Sequence, residues 1–262
     1  MSNNGMTGEA KISVTNVSHD YPDPDSGGRK QVLSKVSFDV SEGEVMSIIG
    51  PSGCGKSTLM SIIAGLVMPS GGEVKVNGQI VDGPSPTRIL LFQELFLFEW
   101  MTTLGNVEFA LEARRVSKPD RRQKAIEILN LVGLAGFENY YPNKISGGMK
   151  QKLALARALA AEPQVLLLDE PFGALDLQTR NELEFELLNL LKFGNQTVII
   201  VTHDIRQAIF LGDRILVMSP RPATIKKSFV VPFPHRRQEG IRLTREFNDL
   251  ETLVSASIHS ER

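Results

Sequence analysis

The chain has 262 residues, 42% of them hydrophobic and 23% charged, which is typical of a globular protein with a substantial core. Its 29 basic residues balance 30 acidic ones, so an electrostatic nucleic-acid binder is not expected. The one cysteine, Cys54, excludes an intrachain disulfide and a cysteine-rich zinc site. The first ten residues lack the apolar core of a signal peptide, and no apolar run approaches the ~20 residues that span a bilayer. We therefore expect another chain to supply the spans if this protein works at a membrane.

The N-terminal third predicts short strands and one helix. Residues 11–15 and 35–40 alternate between apolar and polar side chains, as strands do, and residues 21–28 between them form a turn-rich segment. Residues 44–49 are an apolar strand that leads into a glycine-rich loop, and residues 56–66 have a helical pattern. This order of strand, loop and helix is the usual setting of a phosphate-binding loop.

The middle of the chain, from about residue 103 to 161, is helical in pattern, and α/β alternation resumes after Pro163. Residues 165–168 and 198–201 are continuous apolar runs, which predict strands buried on both faces of a sheet. A helix between them is expected to end at Gly194. The pattern predicts an α/β core interrupted by a helical insertion, followed by a tail with one strand and a short helix.

The glycine-rich loop fits G-x-x-x-x-G-K-[ST], which predicts a nucleotide-phosphate site. Its backbone N–H groups converge on phosphate oxygens, and the following helix adds its N-terminal dipole. Lys56 supplies a charge for the β- and γ-phosphates, and Ser57 offers a hydroxyl to Mg²⁺. Cys54 is interpreted as a small side chain that fits the loop, with a redox switch as the alternative. The expected nucleotide-binding residues are Gly50, Pro51, Ser52, Gly53, Cys54, Gly55, Lys56, Ser57 and Thr58.

Two acids, Asp169 and Glu170, follow the apolar run at residues 165–168. The carboxyl ends of parallel strands form the ligand-binding edge of an α/β sheet, so both carboxylates should reach the nucleotide. We expect Asp169 to hold Mg²⁺ directly or through water, and Glu170 to orient or deprotonate the attacking water. The alternative is a strand followed by an acidic helix cap.

His203 follows the apolar run at residues 198–201. A third strand aimed at the same edge would bring its imidazole to the γ-phosphate and the attacking water. A histidine at a strand end with only a structural role is the alternative.

The segment Ile145-Ser146-Gly147-Gly148-Met149, taken with the phosphate loop, resembles the signature of ABC-transporter ATPase subunits. Ser146 and the N–H groups of Gly147 and Gly148 would bind an anion at the start of a helix from about Met149 to Leu159, although a plain helix cap is the alternative. Many family members carry glutamine where this chain has Met149. Five further segments, spread over residues 10–235, are similar to the family in the right order: Tyr21, the adenine-stacking aromatic; Gln93, the glutamine loop; Asp169-Glu170; Gly173-Ala174-Leu175-Asp176, the dimer-contact loop; and His203.

This resemblance implies an α/β fold with a P-loop NTPase core, an antiparallel β subdomain and an inserted α-helical subdomain at about residues 95–161. It implies a single nucleotide-binding domain over residues 1–221 and a short C-terminal extension over 222–262 that is not an independent domain. The implied cofactors are ATP and Mg²⁺. The implied catalytic residues are Glu170, His203, Gln93 and Lys56, and the implied metal ligands are Ser57, Gln93 and Asp169. The signature is expected to complete the site of a second ATPase subunit, so that two ATP molecules lie between two chains.

Several stretches look similar to the ATPases of nitrate, sulfonate and taurine importers, including residues 146–151, 170–176, 217–222 and 232–237. The implied partners are integral membrane permease subunits, a second ATPase subunit and a substrate-binding protein. The implied location is the cytoplasmic face of the cell membrane, reached through the permease. Residues 95–101 are interpreted as either core or the permease contact. The rival hypothesis is an ABC ATPase that acts in DNA repair or translation, which one cassette without a long coiled coil disfavours.

Overall fold

The computed structural model describes residues 10–24, 27–173, 175–193, 196–234 and 237–259. The strands are β1 (Ile12–Pro22), β2 (Arg29–Val40), β3 (Val45–Ile49), β4 (Gly71–Val76), β5 (Gln79–Ile80), β6 (Arg88–Leu91), β7 (Val165–Asp169), β8 (Thr197–Val201), β9 (Arg214–Met218) and β10 (Ile225–Val230). The helices are α1 (Lys56–Ala64), α2 (Thr103–Ala113), α3 (Lys118–Leu131), α4 (Gly147–Ala160), α5 (Leu177–Phe193), α6 (Ile205–Leu211) and α7 (Arg245–His259). Two 3₁₀ turns lie at Pro142–Lys144 and Glu239–Leu243.

A six-stranded sheet in the order β10-β9-β3-β8-β7-β6 forms the centre of the fold. The strands from β9 to β6 are parallel, and β10 is antiparallel to β9. Every residue of β3, β7 and β8 is buried, which explains why these segments are apolar except for one polar residue in each, Ser47, Asp169 and Thr197. The parallel register brings the carboxyl ends of β3, β7 and β8 to one edge of the sheet.

A second, antiparallel sheet has the order β2-β1-β4-β5. Its apolar side chains share one buried cluster with α1, which holds the sheet against the helix that follows the glycine-rich loop. The predicted loop from Tyr21 starts later than expected, because Tyr21 and Pro22 still pair with Lys30 and Arg29 of β2. Cross-strand pairing has overridden the local turn signal of Pro22 at the end of the strand.

The helices α2, α3 and α4 lie between β6 and β7 in the chain and share an apolar cluster of their own. Ala125 and Leu129 are the buried residues of α3, whereas Ile128 is only partly covered. The predicted helix from about Met149 begins earlier, at Gly147, because Ser146 caps it. Together with the two sheets, this arrangement confirms the predicted fold class.

The C-terminal segment joins the central sheet. Strand β10 pairs with β9, and α7 buries Phe247, Leu250 and Val254 in the cluster that also contains β8 and α6. With 15 residues, α7 is longer than the short helix that the sequence predicts. Gly194, the predicted end of α5, lies outside the described residues. In the described part of the chain, no helix combines the length and the apolar character needed to cross a bilayer.

Candidate active site

The glycine-rich loop turns sharply between β3 and α1. A Cβ on Gly50 would lie 2.9 Å from the carbonyl oxygen of Met218 on the neighbouring strand. Gly55 has a φ of 124°, and a Cβ there would lie 2.7 Å from Cγ1 of Val32. Side chains at either position would therefore push the loop off the two sheets, so glycine is required for this turn.

Lys56 is the first residue of α1 and is buried. Its Nζ donates to the carbonyl oxygens of Gly50 at 2.9 Å and Pro51 at 3.0 Å, which holds the ammonium group along the loop. Ser52, Gly53 and Ser57 are exposed beside it. The loop thus combines a fixed positive charge, exposed backbone and a hydroxyl, which is the chemistry that binds phosphate.

Asp169 ends β7 next to this loop. Burial raises the pKa of Asp169, and the nearby Ser57 hydroxyl opposes that rise. The Oδ1 atom is buried and has no hydrogen-bond partner among the described residues, so this oxygen has a free coordination position.

This pair of oxygens fits Mg²⁺. Magnesium prefers oxygen ligands and usually takes one or two protein groups in addition to substrate phosphates and water. The unpartnered oxygen of Asp169 and the hydroxyl of Ser57 therefore suit a metal bound together with a nucleotide.

Glu170 is the next residue and has a positive φ of 47°. Its N–H donates to the carbonyl oxygen of Val201 at 2.9 Å, which holds the residue after β7 against the last residue of β8. Its Oε2 lies 3.2 Å from Nδ1 of His203, so the carboxylate and the imidazole share a hydrogen bond. A Cβ placed on Gly173 would lie 3.5 Å from Oε2 of Glu170 and 3.8 Å from Nε2 of Gln93. The structure thus brings Glu170, His203 and Gln93 together.

Hydrogen bonds of the neighbouring residues fix the backbone on both sides of His203. The hydroxyl of Thr202 accepts from the N–H of Asp204 at 3.0 Å, and the Asp204 carboxylate accepts from the N–H of Gln207 at 3.1 Å to cap α6. Sequence reasoning did not single out Asp204. An aspartate just before a short apolar helical run is a known N-cap signal and would have identified it.

Tyr21 lies at the rim of the phosphate loop. Its hydroxyl is 3.5 Å from Oγ1 of Thr58, and its ring meets the His19 ring edge-on with centroids 4.7 Å apart. The Tyr21 side chain remains 41% exposed. A half-exposed ring beside a phosphate loop is in a suitable place to stack on a base.

The predicted signature lies at the start of α4. Ser146 caps this helix by accepting from the N–H of Met149 at 3.3 Å, and Ser146 and Gly147 are exposed. A Cβ on Gly148 would lie 2.9 Å from Cγ2 of Thr179 on α5, and one on Gly147 would lie 3.8 Å from Cδ2 of Leu175. The signature therefore packs beside the predicted dimer-contact loop, of which Ala174 lies outside the described residues.

Cys54 packs inside the apolar cluster under the loop and is 2% exposed. Burial raises the pKa of its thiol, and Lys56 opposes that rise. A buried thiol with a raised pKa reacts poorly with oxidants. This environment favours the packing interpretation of Cys54 over the redox switch.

Arg157 on α4 is a second residue that the sequence did not point to. Its guanidinium donates to the carbonyl oxygens of Leu95 at 3.0 Å and Phe96 at 2.8 Å, and it lies 5.0 Å from the centroid of the Phe98 ring. Burial lowers the pKa of this guanidinium. The contact ties the signature helix to the segment that follows Gln93, a long-range pairing that no local pattern predicts.

A phosphate loop, a buried aspartate, a Glu–His pair and a capped glycine signature on an inserted helical region define an ATP-binding cassette ATPase. The family described as ABC transporter matches residues 33–173. The chain belongs to this family, and both the predicted family and the predicted ATPase class are confirmed.

Curated relatives match nearly the whole chain. A putative ATP-binding protein of Brucella abortus (strain 2308) is 42% identical over 252 residues, covering 96% of this chain and 95% of that protein. The taurine import ATP-binding protein TauB of Jannaschia sp. (strain CCS1) is 42% identical over 228 residues, covering 87% of this chain and 84% of that protein.

Solved structures agree with these relatives. A dimeric ATP-binding cassette in a post-hydrolysis state, bound to ADP and Pi, is similar with a TM-score of 0.74 and 33% identity. The match covers 85% of this chain and 100% of that structure's chain. A second dimeric structure, of a bacterial ABC transporter cassette, has a TM-score of 0.75 and 34% identity.

Proposed function

We propose that this cassette hydrolyses ATP to power the import of taurine, another sulfonate, nitrate or a similar small solute. Support comes from relatives named for taurine import that share 42% of their residues with this chain over most of their length. The observation that carries the hydrolytic role is the Glu170–His203 hydrogen bond beside the unpartnered oxygen of Asp169.

In the proposed reaction, the loop from Gly50 to Thr58 holds the phosphates and Lys56 balances their charge. Glu170 accepts a proton from water as the water oxygen attacks the γ-phosphorus. The bond between the γ-phosphorus and the bridging oxygen then breaks, and the products are ADP and phosphate. His203 orients Glu170 and the γ-phosphate, and Gln93 lies with Glu170 beside Gly173.

Ser57 and Asp169 would hold Mg²⁺, with Gln93 as a further ligand. When bound, the ion would neutralise developing charge on the β- and γ-phosphate oxygens. The residues of this chain then need only to orient water and to move one proton. Tyr21 would stack on the adenine ring at the rim of the loop.

We further propose that the working unit contains two cassettes. Ser146 and Gly147 are exposed at the N-terminus of α4, with Gly148 half-buried beside them. A helix N-terminus of this kind can bind an anion, and a signature that closes on the other chain's ATP would use it in that way. The similar solved cassettes are dimeric, which supports this arrangement. ATP would then close the pair, and hydrolysis would open it.

The permease would dock on the aromatic surface after Gln93. Phe96 and Trp100 are 60% and 72% exposed, and Phe92 and Phe109 add exposed rings nearby in the fold. Exposed aromatic clusters of this kind commonly mark protein interfaces. A membrane partner on this surface would place the cassette at the cytoplasmic face of the membrane, and a substrate-binding protein would deliver the solute.

The test is reconstitution of the full chain with the permease that co-purifies with it, in vesicles that also receive the substrate-binding protein of the same system. We expect taurine, a related sulfonate or nitrate to stimulate ATP hydrolysis in wild-type vesicles and not in Glu170→Gln vesicles. Hydrolysis that none of these solutes stimulates would contradict the solute assignment. Hydrolysis stimulated by nucleic acid, without co-purification of any membrane protein, would contradict the transport role.

A further inference from the structure

The 3₁₀ turn Glu239–Leu243 carries an arginine, Arg242, whose guanidinium reaches into the core. It pairs with the carboxylate of Glu184 and donates to Oδ1 of Asn181, both on α5. The guanidinium also lies 3.9 Å from the centroid of the Phe210 ring on α6. The C-terminal segment thus contributes a cation at the junction of α5 and α6.

Glu184 is the carboxylate that pairs with the Arg242 guanidinium. Its side chain is 1% exposed, and its carboxylate also accepts a hydrogen bond from Nε2 of Gln207 at 2.7 Å. Burial raises the pKa of Glu184, whereas Arg242 and Gln207 lower it. A buried carboxylate that lost Arg242 would be left without its counter-charge, so it would take up a proton or move toward water.

Movement of Glu184 would be transmitted to the catalytic edge. The side chain of Gln207 donates to Glu184, and the backbone N–H of Gln207 donates to the Asp204 carboxylate at 3.1 Å. Arg180 donates to the same carboxylate at 3.5 Å and to the carbonyl oxygen of Leu175 at 3.0 Å. Asp204 follows His203, and Leu175 belongs to the predicted dimer-contact loop.

The same C-terminal segment also holds the other end of α6. The side chain of Arg237 is fully buried and donates to the carbonyl oxygens of Ile209 at 2.9 Å and Phe210 at 2.7 Å. Carbonyl groups at a helix C-terminus lack intrahelical partners, and a cation is favourable there. Two arginines from one segment therefore hold the short helix that follows His203.

We infer that Arg242 is a positioning residue for ATP hydrolysis: through Glu184, Gln207 and Asp204 it sets the place of His203 against Glu170. The inference rests on the proposed hydrolytic role of His203 and Glu170. It assigns to the C-terminal segment a part in turnover as well as in packing.

The first test is turnover by full-length Arg242→Met, in which a side chain of similar length loses the charge and the hydrogen bonds. We expect kcat to fall at least tenfold while the KM for ATP changes less than twofold, because the phosphate loop is not in the network. Glu184→Gln in the same chain removes the unpaired charge and keeps an acceptor for Gln207. The double variant should therefore recover kcat to within threefold of wild type.

The second test is independent of turnover. The imidazole resonances of the chain's four histidines are recorded by NMR, with His203 assigned from a His203→Ala spectrum. Arg242→Met should shift the His203 resonance and leave that of His19 unchanged. If the wild-type chain hydrolysed no ATP, the proposed function would fail while this spectrum would still decide the positioning role.

Two further variants complete the test. Arg245→Ala is the matched control, since the Arg245 side chain is 90% exposed and pairs with Asp249 across the surface of α7; it should keep wild-type kcat. If Arg242→Met does not fold, Arg242→Lys replaces it in the test. Lysine keeps the positive charge but cannot donate to Asn181 and Glu184 with two separate nitrogens, so a two- to fivefold loss of kcat is expected. A wild-type kcat with an unshifted His203 resonance in the Arg242 variant would overturn the inference, as would a double variant no more active than the single one.

Discussion

The carboxyl edge of the central sheet and the start of α4 contrast in how complete they are. At the sheet edge, Glu170 already shares a hydrogen bond with His203, and the Asp169 carboxylate lies against Ser57. At the start of α4, Ser146 is exposed, and its described hydrogen bond is to its own helix. One region holds a set of mutually positioned reacting groups, and the other presents anion-binding groups at the surface.

This contrast indicates that the sheet edge and the start of α4 can contact different ATP molecules. A helix N-terminus with exposed N–H groups binds an anion wherever one is delivered, and a second chain can deliver it. The dimeric state of the similar solved cassettes agrees with this division of labour. Substitutions at the sheet edge should therefore change the chemical step, and substitutions at the start of α4 should change dimerisation.

The largest expected effect is that of Glu170→Gln at the sheet edge. Removal of the base should lower kcat by about 10²–10⁴-fold, while ATP affinity stays near wild type. The variant should also form an ATP-dependent dimer, because closure persists when hydrolysis stops. Phosphate release, fluorescent-nucleotide binding and light scattering measure the three quantities. A normal rate of hydrolysis would show that Glu170 is not the base.

The next effect belongs to the start of α4. Ser146→Arg places a long side chain over the exposed N–H groups, so ATP-driven dimerisation and turnover should be lost while binding of ATP to a single chain is retained. Ser146→Thr, which keeps the cap, is the control and should retain dimerisation. Size-exclusion chromatography with ATP in the Glu170→Gln background checks both variants. Undiminished dimerisation of the arginine variant would refute a shared site.

A smaller effect is expected at Gly55, which fixes the loop of the sheet edge. Gly55→Ala should lower the free energy of unfolding by about 1–3 kcal/mol more than Gly43→Ala, because only the former meets packed side chains. Gly43 has a φ of 72°, close to the left-handed region that alanine can adopt, whereas Gly55 has a φ of 124° outside it, so backbone strain adds to the packing contribution at Gly55. Denaturant titration measures the difference. Equal losses would mean that the close packing around Gly55 is not what holds the loop.

The smallest expected effect is the pH dependence of stability that comes from Glu184, behind the sheet edge. Burial raises its pKa above the ordinary value of 4.5, so the folded state retains the proton better than the unfolded chain does. Stability from this group is therefore present below pH 4.5 and is lost as pH rises through the folded pKa. Relative to Glu184→Gln, the wild type should lose unfolding free energy over that interval. Parallel curves for the two chains would contradict the raised pKa.

Much of the sheet edge could be predicted because its signals are local. Gly50 to Ser57, Asp169-Glu170 and His203 each follow an apolar run, and parallel strands must deliver their ends to one edge. The sequence could not predict the contacts of Arg157, Arg237 and Arg242, since each joins segments far apart in the chain and an arginine has the same local pattern on a surface. The sequence predicts a loop at Tyr21 for a related reason. Its place in β1 depends on pairing with Lys30 of β2, which is a non-local contact.

The most direct test of the two-chain site is cross-linking between introduced cysteines, which is selective because the chain has one native cysteine to remove. In chains that carry Cys54→Ala and Glu170→Gln, one population receives Ser52→Cys on the phosphate loop and the other Ser146→Cys on the signature. Both serines are exposed, so a short bifunctional maleimide can reach either. With ATP, the mixed chains should yield a covalent species of twice the chain mass, and chains with ADP should not. A mixture that binds ATP yet gives no such species would contradict the claim that the signature of one cassette closes on the nucleotide of the other.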